Sequence, residues 1–351
     1  MIYVDEQIKN TFRIPQPDGR GAFIRLDENE NPDGVPRWLF DSVMQKVTPE
    51  FLGIYPEEAT PTAKYANLLG LKPENVTLTD GSVVGMGYII KVFGEPGKDI
   101  LCVTPTFGMY AVYANMVGMN VRQLKYEDDF TYRIENTLNA IDGNTGIVVL
   151  VNPNMPIGNV YSQEDIRRVI EKAGQHGAAV IIDEAYYYFY DRTSADLVKE
   201  YDNVFVLRTF SKLLSIPALR VGAIISSAEN VGYVNNYKPH YTVNSIALLF
   251  AEAIIDNHDK LVPELKEQYL EGKRYIVDAL AANGYQTLPS EGCYMCIKPK
   301  YKAANELTSL LRENGILILC GKDALAGWIR LTIAHKQYMR IFMDALLKLD
   351  R

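Results

Sequence analysis

The sequence predicts an α/β fold with a large lobe built on a mostly parallel sheet and a smaller α/β lobe toward the C-terminus. The first observation is a series of short apolar runs between about Asn75 and Ser226, which alternate with helix-like segments. Strands that are apolar on both faces and joined by helical crossovers are typical of a parallel sheet covered on both sides. The second observation is a change of pattern after His240, where two long helical segments precede short strands.

Each element of the large lobe has its own signal. The predicted strands are NVTLT, DILCVTP, GIVVLVNP, AAVIIDEAY, NVFVLRTF and LRVGAIIS. The segment EDIRRVIEKAGQHG has helical periodicity and ends near Gly177, so we expect a crossover helix there. In such sheets ligands bind outside the carboxyl ends of the strands, and polar residues follow several of these runs. We therefore expect the functional site at that edge of the sheet.

The smaller lobe follows with helices through TVNSIALLFAEAIIDNH and LVPELKEQYLEGKRYIVDALAANG, the second of which stops at Gly284. The strands YMCIKP, ILILCG and WIRLTIA are interleaved with the helices ANELTSLLRENG and KQYMRIFMDALLKLD. We divide the chain into an N-terminal segment that packs across the lobes (1–33), a large domain (34–240) and a small C-terminal domain (241–351).

Composition and charge favour a small-molecule partner. Of the 351 residues, 48% are hydrophobic and 23% are charged, which is enough apolar material for one large core and a smaller one. The net charge of -7 argues against nucleic-acid and anionic-membrane partners, because both require clustered Lys and Arg. The N-terminal region lacks a signal-peptide pattern and no run reaches about 20 apolar residues, so we expect a cytoplasmic protein.

The cysteines are expected to be reduced and buried. Four cysteines in 351 residues are too few for a disulfide framework. Cys293 and Cys296 form a CxxC, but residues three apart on a strand point to opposite faces and do not easily share a metal ion. We therefore expect no bound metal.

A lysine placed after an apolar run is the strongest functional signal. Lys212 follows VFVLRTF and precedes LLSIPALRVG, whereas most lysines are solvated surface charges. Burial in this context lowers the pKa of an ammonium group and makes a nucleophilic amine available near neutral pH. Such an amine can form a Schiff base with an aldehyde cofactor and later move a proton.

Asp183 ends the run AAVIID, where a buried carboxylate needs a partner. It could cap a helix or form an ion pair. It could also keep the pyridine nitrogen of pyridoxal phosphate protonated, which makes the ring an electron sink. Tyr186 could then reach the ring hydroxyl, although Tyr187, Tyr188 and Tyr190 compete for this role.

Phosphate donors are predicted from two directions. Gly81, Ser82 and Val83 follow the strand VTLT and open a helix-like segment, so their main-chain N–H groups would face an anion. The remaining donors would be Thr209, Ser211 and Arg220. The sequence has no GxGxxG and no GxxxxGK[ST], so the dinucleotide and P-loop alternatives lack their loops.

Two residues have open roles. In VNPNMPIG, Asn154 could donate a side-chain N–H to the phenolic oxygen of the cofactor, or it could bond its own turn. In TPTFGMY, Tyr110 could stack on the face of the pyridine ring, or it could pack in the core.

The motifs TFSK...LRVG, IIDEAY, NPNMPIG, PTFGMY, DENENPDG and WIRLT together resemble those of the class I/II, fold-type I pyridoxal-phosphate aminotransferases, and within them the histidinol-phosphate aminotransferase branch. The resemblance runs from Asp27 to Leu349. It implies a large domain with a mostly parallel seven-stranded sheet and a smaller α/β C-terminal domain. It also implies transfer of an amino group between an amino acid and a keto or phosphorylated carbonyl substrate.

The resemblance assigns roles to single residues. It implies Lys212 as the Schiff-base lysine, Asp183 on the pyridinium nitrogen and Tyr186 on the ring oxygen. It implies a cofactor site completed by Gly81, Ser82, Val83, Tyr110, Asn154, Thr209, Ser211 and Arg220. Arg330, otherwise a surface arginine on a strand, would hold the substrate carboxylate by a bidentate pair, with Asn31 also at the substrate. Tyr55 would reach the phosphate in the neighbouring subunit of a homodimer with shared active sites.

Three departures from the family pattern concern the substrate. Met155 stands where the family usually has an asparagine before the proline. An arginine used for a distal substrate phosphate falls here at Leu319 or Cys320, and a tyrosine with the same task falls at Phe12. Histidinol phosphate is therefore less expected than family membership alone suggests. The candidates to compensate are Arg13, Arg20, Arg25 and Lys322.

Other activities remain open on the same scaffold. A decarboxylase of a phosphorylated amino acid, similar to threonine-phosphate decarboxylase, would differ mainly in which Cα bond lies perpendicular to the ring. A lyase or an oxygen-using oxidase is also compatible. A sensor that binds pyridoxal phosphate without turnover is disfavoured by the intact Lys212, Asp183 and Arg330.

Overall fold

The computed structural model describes residues 2–4, 6–9 and 18–351. Its strands are β1 (Ile24–Arg25), β2 (Val76–Thr79), β3 (Asp99–Thr104), β4 (Asn120–Lys125), β5 (Thr145–Val151), β6 (Ala179–Asp183), β7 (Val204–Thr209), β8 (Gly222–Ile225), β9 (Gln286–Thr287), β10 (Tyr294–Lys298), β11 (Ile316–Leu317), β12 (Leu319–Cys320) and β13 (Ile329–Thr332). Its α-helices are α1 (Glu6–Lys9), α2 (Arg37–Met44), α3 (Pro49–Leu52), α4 (Ala59–Leu68), α5 (Ser82–Phe93), α6 (Met109–Met116), α7 (Ile134–Ala140), α8 (Gln163–Gln175), α9 (Ala228–Tyr237), α10 (Ser245–Asp256), α11 (His258–Ala282), α12 (Ala304–Glu313) and α13 (Lys336–Leu349). None of these helices is long and apolar enough to cross a membrane.

The large sheet has seven strands in the order β2-β8-β7-β6-β5-β3-β4. Strand β8 runs antiparallel to both β2 and β7, and the other neighbours pair in parallel. The predicted mostly parallel seven-stranded sheet is therefore confirmed. The strand that our sequence patterns did not include is β4, because it lies at the edge of the sheet and alternates exposed polar with partly buried residues.

The crossover helix α8 shows why the local prediction succeeded. Ser162 caps its first turn by accepting a hydrogen bond from the main-chain N–H of Asp165. One face of the helix buries four apolar residues, Ile166, Val169, Ile170 and Ala173. Past the end of the helix, Gly177 adopts a positive φ of 69°, which reverses the chain into β6.

The second sheet is antiparallel and has the order β12-β13-β10-β9, with the helices α11 and α13 packed together beside it. Strand β1 pairs in parallel with β11, and the Leu26 N–H donates to Leu317 O at 2.9 Å. The amide of Asn29 reaches the large lobe at Tyr186. The described part of the N-terminal segment thus contacts both lobes, while the domain division at 33 and 240 stays a prediction.

Candidate active site

A cavity of about 900 Å³ lies at the carboxyl ends of the central strands. Its wall includes the residues that end β5, β6 and β7, which are Val151, Asp183 and Thr209. The other lining residues that bear on the chemistry are Arg20, Arg25, Glu28, Glu30, Asn31, Ser82, Val83, Phe107, Met155, Tyr186, Ser211, Lys212 and Arg220. The topology therefore brings most of the predicted site together at the expected edge of the sheet.

Lys212 follows β7 by three residues and lines this cavity. Its Nζ donates to the main-chain oxygen of Glu28 at 2.9 Å, and Nζ lies 5.8 Å from the centre of the Tyr186 ring. Burial lowers the pKa of the Lys212 ammonium, and the nearby positive charge of Arg330 lowers it further. The amine is thus biased toward the neutral, nucleophilic form.

Asp183 is buried at the end of β6, and both of its carboxylate oxygens have a donor. The Tyr110 hydroxyl donates to Oδ2 at 2.8 Å, and the main-chain N–H of Ala185 donates to Oδ1 at 3.0 Å. Burial raises the pKa of the Asp183 carboxyl, whereas these two hydrogen bonds act in the opposite direction. Asp183 also lines the cavity, so a cationic group bound there would lie next to this residue.

Six residues predicted as phosphate donors lie close together and are called the phosphate cradle here: Gly81, Ser82, Val83, Thr209, Ser211 and Arg220. The helix α5 begins at Ser82 and points its N-terminus at the cavity, where Ser82 and Val83 line the wall. Arg220 Nη1 lies 3.3 Å from Ser211 Oγ, which accepts a hydrogen bond from Thr209 Oγ1 at 3.0 Å. Hydroxyls, a guanidinium and a helix N-terminus are suited to a phosphate dianion.

Gly81 shows how closely the two halves of the cradle approach. It has a φ of 81°, and a Cβ at this position would lie 2.3 Å from Arg220 Nη2. A side chain at Gly81 would therefore displace the guanidinium from the cradle. The close approach and the donor set both fit the phosphate of pyridoxal phosphate.

Tyr110 does not have the predicted stacking position. It is fully buried in the core cluster beneath the sheet edge, and its hydroxyl contacts Asp183. Phe107, three residues earlier, lines the cavity instead. Both aromatics follow β3 in one turn, and the main-chain N–H of Tyr110 bonds to the Phe107 oxygen at 3.4 Å. The motif PTFGMY contained both rings, but only the backbone of this turn decides which one faces the cavity.

Asn154 is also placed differently from the prediction. Its side-chain amide donates to Pro105 O at 3.0 Å and to Tyr126 Oη at 2.6 Å, and its Oδ1 accepts from Thr106. Asn154 is buried and its polar atoms are occupied, so it does not supply a donor to the cavity. The next residue, Met155, lines the cavity in its place. Asn154 therefore stabilises the turn, the alternative role that the sequence had left open.

Tyr186 is the tyrosine of IIDEAYYYFY that faces the cavity. Its hydroxyl accepts a hydrogen bond from the Asn29 amide at 2.8 Å, and burial raises the pKa of its phenol. Tyr187 instead stacks on the buried Arg208 guanidinium, with Cζ 3.5 Å from the ring centre. Asn29 was not singled out from the sequence, and its only signal was membership of the motif DENENPDG.

Arg330 lies behind Met155, beside rather than on the wall of the cavity. Its Nη1 is 2.9 Å from the Met155 sulfur and its Nη2 donates to Asp27 O. Its Nε is buried without a hydrogen-bond partner among the described residues. A buried guanidinium with an unused donor and a thioether as second partner is incompletely satisfied, as expected of a group that receives a ligand.

Asn31 and Tyr55 occupy very different positions. The Asn31 amide donates to Ser215 Oγ at 2.9 Å, and Asn31 lines the cavity. Tyr55 is 75% exposed and stacks on Tyr241 with 4.8 Å between ring centres. Tyr55 lines a separate surface depression and is absent from the wall of the cavity that holds Lys212.

Four residues were candidates to replace the missing donors for a distal substrate phosphate. Arg20 and Arg25 line the cavity, but their guanidinium groups already bond to carboxylates of Asp27 and Glu30. Leu319 lies directly opposite Arg330 in the β12–β13 pair, so an apolar side chain shares that face. Lys322 does not line the cavity, and Phe12 and Arg13 lie outside the described residues.

Comparison with known proteins adds family membership to this geometry. Residues 23–346 match the family model described as aminotransferase class I and II. The chain is 30% identical to a histidinol-phosphate aminotransferase of Caldanaerobacter subterraneus subsp. tengcongensis, with 97% of each chain covered. It is also 30% identical to a histidinol-phosphate aminotransferase of Geotalea daltonii, over 95% of this chain and 94% of the relative.

Solved structures agree on the fold. The histidinol-phosphate aminotransferase of Sinorhizobium meliloti in complex with pyridoxal-5'-phosphate superposes with a TM-score of 0.88 at 21% identity, covering 99% of this chain and 97% of that one. A Thermus thermophilus aspartate aminotransferase with maleate gives a TM-score of 0.84 at 16% identity, covering 99% of this chain and 100% of the other. The chain belongs to the class I and II aminotransferases of fold type I, enzymes that depend on pyridoxal phosphate, and this is its cofactor.

Proposed function

We propose that this chain binds pyridoxal phosphate through Lys212, Asp183, Tyr186 and the phosphate cradle, and moves an amino group between an amino acid and a keto or phosphorylated carbonyl substrate. The observation that carries the proposal is the shared cavity: Lys212 and Asp183 line it together with Ser82, Ser211 and Arg220. When bound, pyridoxal phosphate supplies an electron sink for negative charge that develops at the substrate Cα.

Lys212 is proposed as the covalent attachment point and as the base. Its amine is biased toward the neutral form by burial, so it can accept the α-proton of the substrate. The main-chain oxygen of Glu28 then offers a hydrogen-bond acceptor for the resulting ammonium. The same Nζ could then deliver this proton to the former aldehyde carbon of the cofactor, which is the transfer that transamination requires.

Around Lys212, three groups orient the cofactor. Asp183 would hold the protonated ring nitrogen, because its carboxylate reaches the cavity and is already fixed by two donors. Tyr186 would bond the ring oxygen through its hydroxyl, which Asn29 orients. The ring of Phe107 is proposed to cover one face of the pyridine in the role first assigned to Tyr110.

Arg330 is proposed to bind the α-carboxylate of the substrate. The Arg330 guanidinium is a planar fork of donors, the arrangement that suits a carboxylate, and its Nε is orphaned while its Nη1 is only weakly bonded. Met155 covers this fork and would have to turn aside. A thioether is a flexible side chain and a weak acceptor, so a carboxylate would readily replace it.

The substrate preference of this chain is proposed to differ from that of a relative that binds a phosphorylated substrate. Histidinol phosphate is the first compound to test, since the relatives described above bear its name. Arg20 and Arg25 are the cations available on the cavity wall, but a distal phosphate would have to compete with Asp27 and Glu30 for them. We expect weaker use of histidinol phosphate than of an unphosphorylated amino donor.

A homodimer with shared active sites is part of the proposal. The segment around Tyr55 exposes Leu52 at 60% and Ile54 at 61%, next to the stacked pair of Tyr55 and Tyr241. Such an exposed apolar group is typical of an interface. We propose that Tyr55 reaches the phosphate in the partner subunit. Mixing Tyr55→Phe subunits with Lys212→Ala subunits would test this, because complementation requires a site made of both chains.

Location in the cytoplasm is proposed on the state of the thiols. All four cysteines are free, and three of them are buried. Free thiols are the rule in a reducing compartment. Fractionation of cells with a specific antibody, with marker enzymes as controls, would test the assignment.

The decisive experiment follows the cofactor spectrum of the holoenzyme with a panel of amino donors and then with keto acids. We expect loss of the absorbance of the Lys212-bound cofactor with the donor and its return with the acceptor. Histidinol phosphate, histidinol, glutamate and aromatic amino acids form the panel. Carbon dioxide release without the pyridoxamine form would indicate the decarboxylase, and binding with no spectral response to any donor would indicate a sensor. Lys212→Ala is the control, and covalent cofactor in that variant would contradict the proposal.

A further inference from the structure

We infer that Tyr110 is a positioning residue that acts through Asp183: its hydroxyl fixes the carboxylate in the orientation that receives the ring nitrogen of the cofactor. The inference rests on the role proposed above for Asp183. It replaces the stacking role that Tyr110 does not have, and it gives the turn after β3 two functions, with Phe107 in the cavity and Tyr110 behind it.

The geometry at Asp183 carries the inference. Tyr110 Oη donates to Oδ2 at 2.8 Å and the Ala185 N–H donates to Oδ1 at 3.0 Å. A carboxylate with one donor on each oxygen cannot rotate freely, yet each oxygen keeps a lone pair for a further partner. The main-chain atoms are fixed as well, because the Asn152 N–H bonds to Asp183 O at 2.9 Å.

Tyr110 itself is held rigidly. It lies near the start of α6 and its ring is fully buried against the apolar side of the central strands. The same hydrophobic cluster includes Ile147, Val149 and Ile181, which come from β5 and β6. A buried hydroxyl requires a hydrogen-bond partner, and Asp183 is that partner. The buried ring thus holds its hydroxyl in place against the carboxylate of Asp183.

The inference requires a protonated Tyr110 hydroxyl and an ionised Asp183 carboxylate. Burial and the neighbouring carboxylate of Asp183 raise the pKa of the Tyr110 phenol well above its usual range, so the hydroxyl remains a donor. Burial alone would favour a neutral Asp183, and the Tyr110 hydrogen bond favours the ionised form. Only the ionised carboxylate can pair with a protonated ring nitrogen.

The test compares two ligands that differ at the ring nitrogen. Apoenzyme is titrated with pyridoxal phosphate and with its analogue in which a C–H replaces that nitrogen. For Tyr110→Phe we expect the Kd of pyridoxal phosphate to rise about tenfold, and that of the analogue to change by less than about twofold. Tyr132→Phe is the matched control, since it removes a hydroxyl bonded to Thr137 at 2.7 Å, away from the cavity.

The outcomes separate the inference from the role proposed for Asp183. If Tyr110→Phe weakens both ligands equally, Tyr110 is only a packing residue, and if it weakens neither, the hydroxyl has no role; either result overturns the inference. Asp183→Asn must abolish the preference for the nitrogen-containing ligand, and the Tyr110→Phe effect must vanish in that background. A preference that survives in Asp183→Asn contradicts the role of Asp183 itself.

Discussion

Lys212 Nζ lies 2.9 Å from the main-chain oxygen of Glu28, 184 residues earlier in the chain. The contact joins the predicted catalytic amine to the N-terminal segment, which also contributes Asn29 to the hydroxyl of Tyr186. The segment between β1 and α2 therefore forms part of the site, because its main chain and amides supply polar partners that the strands of the large sheet do not provide.

Burial of Lys212 predicts a measurable pH dependence of folding. The folded pKa is lowered from 10.5, so between the lowered value and 10.5 the unfolded chain binds an extra proton and stability rises with pH. Lys212→Met removes this penalty. Apoenzyme of this variant should exceed wild type in free energy of unfolding by more at about pH 7 than at about pH 10. Urea titrations measure this, with the exposed Lys46→Met as control, and an equal difference at both pH values would refute it.

Arg330→Lys should impair substrate binding without impairing cofactor binding. Lysine cannot reproduce the planar fork proposed to hold the α-carboxylate, so kcat/KM for the amino donor should fall roughly 10- to 100-fold. The Kd for pyridoxal phosphate should stay within about twofold, because Arg330 lies behind Met155 and not at the phosphate cradle. A loss confined to cofactor affinity would contradict the assignment. Stopped-flow titration with the amino donor measures the change in kcat/KM.

Gly81→Ala should weaken the binding of the cofactor phosphate. The new Cβ would meet Arg220 Nη2 at 2.3 Å, so the guanidinium must move. We expect the Kd for pyridoxal phosphate to rise by about tenfold or more and that for pyridoxal to change little. Gly97→Ala is the matched control, because Gly97 has a similar φ of 86° with nothing within 4 Å of the added atom. If both variants raised the Kd for pyridoxal phosphate equally, backbone strain alone would explain the effect and displacement of Arg220 would be contradicted.

Phe107→Leu should weaken pyridoxal phosphate and its C–H analogue alike. Loss of an aromatic contact with the ring is worth about 0.5–1.5 kcal/mol, which corresponds to roughly a two- to tenfold rise in Kd. The ring nitrogen is not involved, so the ratio of the two dissociation constants should remain that of wild type. Unchanged affinity for both ligands would place the stacking residue elsewhere.

The buried ion pair of Glu184 and Arg208 should matter for stability rather than for chemistry. Arg208 Nε lies 2.8 Å from Glu184 Oε2, and the two side chains are 3% and 0% exposed. Glu184→Gln leaves a buried guanidinium without its counter-charge and should cost about 3–5 kcal/mol in the free energy of unfolding. Glu200→Gln, which breaks the exposed pair with Arg167, should cost far less. Urea unfolding of both variants provides the comparison.

Features encoded by short stretches of sequence could be predicted, whereas features that depend on tertiary packing could not. Strand and helix patterns in the large lobe are set by buried apolar faces, and they were correct except for the edge strand β4, whose exposed side chains carry a polar pattern. Lys212 and Asp183 were predictable because each follows a fully buried strand. The assignments of Tyr110 and Asn154 to the cofactor failed for another reason: Tyr110 lies at the start of α6 and Asn154 in the turn after β5, where packing decides which of two nearby side chains faces the cavity.

The sequence by itself determined the α/β fold, and hydrophobic periodicity located the strand ends and helix starts that carry Lys212, Asp183 and the two halves of the proposed phosphate cradle. The tertiary structure decided that Phe107 and Met155 face the cavity, that Tyr110 supports Asp183, and that Arg20 and Arg25 are already paired. These relationships join residues from turns and distant segments. Their orientation depends on packing against the rest of the chain, which no local pattern encodes.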